Sequence, residues 1–94
     1  ELARMYRQRL DNIAALFADA AAPDGLTSET KAQLRNAMHQ LAGTAGLFES
    51  ATTSSALREI YEALEAWSDE QWRDLIRGAA ERFTLITGQP ERAL

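Results

Sequence analysis

The sequence has no cysteine and only one histidine, which excludes several kinds of site. Without cysteine the chain forms no disulfide and no thiolate nucleophile, and it needs no oxidising compartment. Zinc sites are built mainly on cysteine and histidine, so we predict no metal site. No apolar run approaches the roughly 20 residues that span a bilayer. We therefore predict a cytoplasmic protein without membrane contact.

Positive charge is also scarce, because fourteen acidic side chains outnumber ten basic ones and give a net charge of −4. The basic residues are scattered along the chain, so a nucleic-acid partner is not expected. What the sequence does have is 94 residues of ordinary globular composition, 46% of them hydrophobic. We predict one monomeric domain over residues 1–94. Because the chain begins at Glu1 instead of methionine, we expect it to be cut from a longer protein.

Four segments space their apolar residues by three and four positions, as amphipathic helices do. We predict helices over residues 2–20, 28–48 and 54–67, and a fourth that begins at Ser68 and stops at Gly88 and Pro90. Ser68 and Gln71 fit a capping box, and Thr27 or Ser28 can cap the second helix. No segment alternates apolar and polar residues like a strand. The expected fold is all-α, an antiparallel up-down four-helix bundle.

The breaks between these helices are a Pro23-Asp24-Gly25 turn and a polar, β-branched segment over residues 49–55, which we predict to be a loop. Met5 and Met38 are expected to fill the core. The other apolar residues assigned to the core are Leu2, Tyr6, Leu10, Ile13, Leu16, Phe17, Ala20, Leu34, Leu41, Ala45, Phe48, Leu57, Ile60, Tyr61, Leu64, Trp67, Trp72, Leu75, Ile76, Ala79, Phe83 and Ile86.

The single histidine, His39, lies on the polar side of the second helix. At 100° per residue it falls about 140° from the centre of the apolar stripe, so its imidazole is predicted to be exposed. Arg35 lies one turn before it, and Gly43 and Gly46 follow it. A glycine inside a helix costs about 1 kcal/mol relative to alanine. Two of them beside the histidine predict a bare surface on which another protein can dock.

The string from His39 to Phe48, His-Gln-Leu-Ala-Gly-Thr-Ala-Gly-Leu-Phe, resembles the His-x-Leu-Lys-Gly-Ser/Thr-Ala signature of histidine phosphotransfer (HPt) domains, the four-helix bundles of multistep phosphorelays. The resemblance implies that His39 accepts a phosphoryl group from a receiver-domain aspartate and passes it to another receiver. It also implies response-regulator receivers as partners, with a hybrid histidine kinase. Mg²⁺ would belong to the receiver, and the chain itself would need no cofactor and no ATP-dependent activity.

The sequence departs from that signature at two places. Ala42 stands where the family usually has lysine, and Glu49 where many members have glycine. The predicted loop over residues 49–55 then looks like a short insertion. Arg35 falls about 40° from His39 on the same helix, one turn away, so we expect its guanidinium to replace the missing lysine beside the phosphoryl group.

Two other readings of the chain stay open at this point. The first is a non-phosphorylated helical interaction module that binds a receiver or kinase and regulates by occupancy. The second is a fragment of a larger helical protein, in which Gly43 and Gly46 would be buried against another segment. A His39→Gln variant separates a phosphocarrier, which loses its effect, from an interaction module, which keeps it.

Overall fold

The computed structural model describes residues 1–88 and consists of four helices joined by short connections. They are α1 (Leu2–Ala21), α2 (Ser28–Phe48), α3 (Ala51–Ala66) and α4 (Asp69–Thr87). No strand occurs within these residues, and the all-α four-helix bundle is confirmed. The predicted stop at Pro90 lies outside the described residues.

The core of the bundle receives side chains from every helix. Helix α2 packs against α1 and α3, and α4 packs against the same two helices. The largest fully buried side chains are Trp72, Phe83, Ile13, Leu34, Met38, Leu41, Leu57 and Leu64. Burying a large apolar side chain stabilises a fold by about 1.5–3 kcal/mol, so these shared contacts hold the four helices together.

Contacts between helices also indicate which ends lie together. The Tyr6 hydroxyl, near the start of α1, donates a 2.8 Å hydrogen bond to Glu49 at the end of α2. Trp67 and Trp72 meet edge to face across the connection between α3 and α4, with ring centroids 5.4 Å apart. Such contacts favour an antiparallel order of neighbouring helices, which remains a prediction.

Side-chain caps fix three of the helix starts. Thr27 accepts a hydrogen bond from the Thr30 amide, and this residue is the cap of α2. The capping box at Ser68 is complete, since its hydroxyl accepts from the Gln71 amide while the Gln71 side chain accepts from the Ser68 amide. Gly88 ends α4 with a φ of 72°, a left-handed conformation that glycine adopts without a Cβ clash.

The loop predicted over residues 49–55 is wrong. Helix α3 begins at Ala51, three residues earlier than predicted, and only Glu49 and Ser50 separate it from α2. Ser50 caps α3 by accepting a hydrogen bond from the Thr53 amide at 3.1 Å. Serine and threonine are poor helix formers in a helix interior but good ones at its start, where free amide groups need acceptors. Residues 51–55 are therefore the first turn of a helix and not a loop.

Several residues assigned to the core are exposed. Leu2 and Met5 are 70% and 61% exposed. Tyr6 is the first buried residue of α1, and it already contacts Glu49 at the end of α2, so the residues before Tyr6 find no part of α2 to pack against. Leu75 is also largely exposed and lies at the edge of its stripe. Phe48 is half-exposed but stacks on the Tyr6 ring with centroids 4.6 Å apart.

Candidate functional site

His39 lies near the middle of α2 with its side chain exposed to solvent, as the helical periodicity predicts. The opposite side of α2 carries the buried residues Leu34, Met38, Leu41 and Ala45. Those residues anchor the helix, so the position of the imidazole is set by the packing beneath it. The result is a nucleophilic side chain presented from a rigid element instead of a loop.

The residues that match the phosphotransfer signature divide between two faces of α2. Leu41 and Ala45 are completely buried and belong to the core. Thr44 is half-buried, and its hydroxyl donates to the Gln40 and Leu41 carbonyls of the preceding turn at 3.3 Å each. Only His39 and Gly43 of the signature reach the exposed side. Chemistry on this helix is therefore restricted to those two positions and their exposed neighbours.

The surface after His39 is bare. A Cβ built on Gly43 or on Gly46 meets no atom of residues 1–88 within 4 Å, so neither glycine is required by a close approach of another described helix. Leu47, one turn beyond Gly43, is 81% exposed. An apolar side chain at the end of a bare helical surface is a contact that another protein can cover.

A feature that the sequence does not reveal is the aromatic ring beside His39. Tyr61 of α3 packs against the imidazole with ring centroids 5.3 Å apart and an interplanar angle of 49°. Helical spacing predicts Tyr61 in the core, and the structure places it half-buried at the core's edge. One side of the imidazole is thus covered by Tyr61, which limits the directions from which a reacting group can approach.

Arg35 is held by two partners on other helices. Its Nε lies 3.9 Å from Glu65 Oε2 on α3, and its guanidinium carbon lies 5.9 Å from the centre of the Trp72 ring on α4. Both contacts draw the cation into the interface between helices, and its side chain is 35% exposed. Arg35 is one turn from His39, as predicted, but its charge is already offset by a carboxylate.

Ala42, where the family signature has lysine, is half-buried and carries no charge.

Within residues 1–88 no group of three or more histidine, cysteine, aspartate or glutamate side chains is arranged to hold a metal ion. None of the helices in that part of the chain combines the length and the apolar character that a membrane crossing requires. The candidate site is therefore an exposed histidine, a bare helical surface and a neighbouring ring.

Comparison with known proteins identifies no relative: no protein-family model, no curated protein and no solved structure matches this chain. A function for this chain can therefore be proposed only from the site itself and from the five residues of α2 that match the phosphotransfer signature.

Proposed function

We propose that this protein is a phosphorelay carrier of the histidine phosphotransfer kind, in which His39 receives a phosphoryl group from a receiver-domain aspartate and delivers it to another receiver. The observation that carries the proposal is an exposed imidazole in the middle of α2, followed by two glycines whose added Cβ atoms would meet no atom in the described part of the chain. The proposed partners are response-regulator receivers together with a hybrid histidine kinase, in the cytoplasm.

For the proposed phosphoryl transfer, this chain has to supply only a positioned nucleophile. A neutral imidazole has a lone pair on one ring nitrogen, which attacks the phosphorus of an aspartyl phosphate. A nitrogen–phosphorus bond forms as the bond to the aspartate oxygen breaks, and the aspartate leaves as a carboxylate. Phosphoryl transfer depends mainly on alignment and charge neutralisation, and Mg²⁺ and the acidic pocket would come from the receiver.

The bare surface gives the geometry that such a reaction needs. The receiver must bring its aspartate to within bonding distance of the His39 ring, so its backbone has to approach α2 closely. Side chains at positions 43 and 46 would stand between the two proteins. Their absence, at a cost of about 1 kcal/mol each in helix stability, is explained if a partner docks there.

The test is the transfer of label from phosphorylated receiver domains to the chain. The proposal predicts label that is labile in acid and stable in alkali, as phosphohistidine is, and its loss in His39→Gln. Thr44→Ala is the matched control, because it removes the hydroxyl group of the same signature. The Thr44→Ala chain should still take up label on His39. Label that survives His39→Gln, or that is stable in acid, would contradict the proposal.

The second candidate is the interaction module without phosphorylation. The exposure of Leu47 beside Gly43 favours it, because an apolar anchor serves binding whether or not a phosphoryl group moves. In that case a receiver would bind the chain and His39→Gln would leave the binding and its regulatory effect unchanged.

A further inference from the structure

Two contacts define how α2 and α3 are aligned. His39 packs on Tyr61, and Arg35 pairs with Glu65. A step of four residues back along α2 is thus matched by a step of four residues forward along α3. Two helices in the predicted antiparallel order produce such a register, and its centre falls at Ser50, the cap between them.

The same register places Arg58 opposite Ala42. Arg58 lies three residues before Tyr61, and Ala42 lies three residues after His39, so both pairs of positions share one side of their helices. Three residues correspond to a rise of about 4.5 Å along the helix axis. Since Ala42 has only a methyl group, the long side chain of Arg58 can extend across it toward the imidazole.

Arg58 is also a basic residue on the α3 side of the interface between α2 and α3, and no described carboxylate pairs with it. It is exposed, and within residues 1–88 it belongs to none of the ion pairs. Glu59, its neighbour in sequence, is engaged by Arg82 at 2.9 Å. Arg35, on the other side of His39, is paired with Glu65, so a phosphoryl group there would meet a carboxylate as well as a cation.

We propose that Arg58 binds the phosphoryl group carried by His39 and so supplies, from α3, the positive charge that α2 lacks at Ala42. The inference rests on the proposed function. A guanidinium offers several N–H donors in a fixed plane and forms short, charge-assisted hydrogen bonds to phosphoryl oxygens. These bonds strengthen as negative charge accumulates on the oxygens during transfer.

The reaction can be tested without a protein partner by using phosphoramidate, a small phosphoryl donor. The His39 ring nitrogen attacks phosphorus, the bond between phosphorus and the amide nitrogen breaks, and ammonia leaves with the proton that the imidazole gives up. We would compare the full chain with Arg58→Gln and with Arg35→Gln. Each variant removes one positive charge, so the two are matched in net charge.

We expect Arg58→Gln to slow phosphorylation about threefold to fivefold, as the loss of one exposed charge contact implies. Arg35→Gln should change the rate by less. The difference between Arg58→Gln and the parent should shrink at high salt, because the screening length falls from about 30 Å at 0.01 M to about 3 Å at 1 M.

Equal rates for Arg58→Gln and the parent chain would overturn this inference and leave the phosphocarrier proposal standing. A larger effect of Arg35→Gln would overturn it as well and would assign the cation to Arg35. If the parent chain takes label neither from phosphoramidate nor from phosphorylated receivers, both proposals fail. Urea unfolding of each variant shows whether a slower rate reflects a lost contact or a lost fold.

Discussion

Because the surface beside His39 is bare, adding a side chain there should raise the stability of the chain and lower its phosphotransfer activity. Gly43 lies inside α2, where a Cβ would meet none of the described atoms within 4 Å. Replacing it with alanine or leucine therefore removes the conformational cost of glycine without creating a clash. The variant should be more stable than the parent, but a leucine side chain would obstruct a docking receiver.

The size of the stability change follows from helix propensity. Glycine is about 0.8–1.0 kcal/mol less favourable than alanine in a helix interior, and leucine is close to alanine. We therefore expect Gly43→Ala and Gly43→Leu to raise the free energy of unfolding by about 0.7–1 kcal/mol. In a domain of this size that corresponds to a rise in Tm of roughly 4–8 °C.

The chain contains a matched control in Gly78, which lies inside α4 and is exposed with the same open space around its Cβ position. Gly78→Leu should give the same gain in stability as Gly43→Leu. Gly78 lies on the outer side of α4, about 140° from the buried face that carries Trp72 and Ile76. It is therefore not part of the proposed docking surface, and its substitution should leave transfer from a receiver unchanged.

The assay is urea unfolding for stability and the initial rate of label transfer from a phosphorylated receiver for activity. We expect Gly43→Leu to be more stable than the parent and to accept label at less than a tenth of the parent rate. The transfer rate of Gly43→Ala should lie between those of Gly43→Leu and the parent. If Gly43→Leu were destabilised, the surface would not be open. If it transferred as fast as Gly78→Leu, the glycines would not serve docking.

Three further predictions concern single side chains. His39→Gln should change the free energy of unfolding by no more than about 0.5 kcal/mol, the usual range for exposed sites; a larger loss in urea unfolding would mean that the imidazole supports the fold. Burial and the hydrogen bond to Glu49 raise the pKa of Tyr6 above its usual value, so the unfolded chain loses this proton first, and stability should fall as pH rises above about 10. Tyr6→Phe should abolish that alkaline loss and cost about 1–2 kcal/mol at neutral pH, and an unchanged alkaline profile would refute the assignment. Ser54→Ala should stabilise the chain by roughly 1 kcal/mol in the same unfolding assay, because the Ser54 hydroxyl is buried without a hydrogen-bond partner within residues 1–88; a loss of stability would show that the hydroxyl has a partner.

Both ends of α4 could be predicted because they carry specific capping residues. Ser68 with Gln71, and Gly88, mark the ends of α4 correctly because each satisfies backbone groups by a local interaction. The start of α3 is harder to predict, because Ser50 and the threonines after it are also typical of loops. The same residue types favour a helix start when the first amides need acceptors.

The exposure of His39 could be predicted because it depends on one helix alone. Its contact with Tyr61, and the pairing of Arg35 with Glu65, could not, because they depend on how two helices are aligned. That alignment follows from the position of the turn between α2 and α3. With the turn placed over residues 49–55 instead of at Ser50, every residue of α3 would be matched to the wrong residue of α2.

The most direct test of the proposed phosphocarrier is a reconstituted relay with two receiver domains, the first phosphorylated and labelled and the second unlabelled. Transfer to the second receiver is measured with the parent chain, with His39→Gln and with no chain added. We expect label to reach the second receiver only with the parent chain, passing through an acid-labile intermediate on His39. Equal transfer with His39→Gln, or none with the parent chain across the receivers of the same organism, would contradict it.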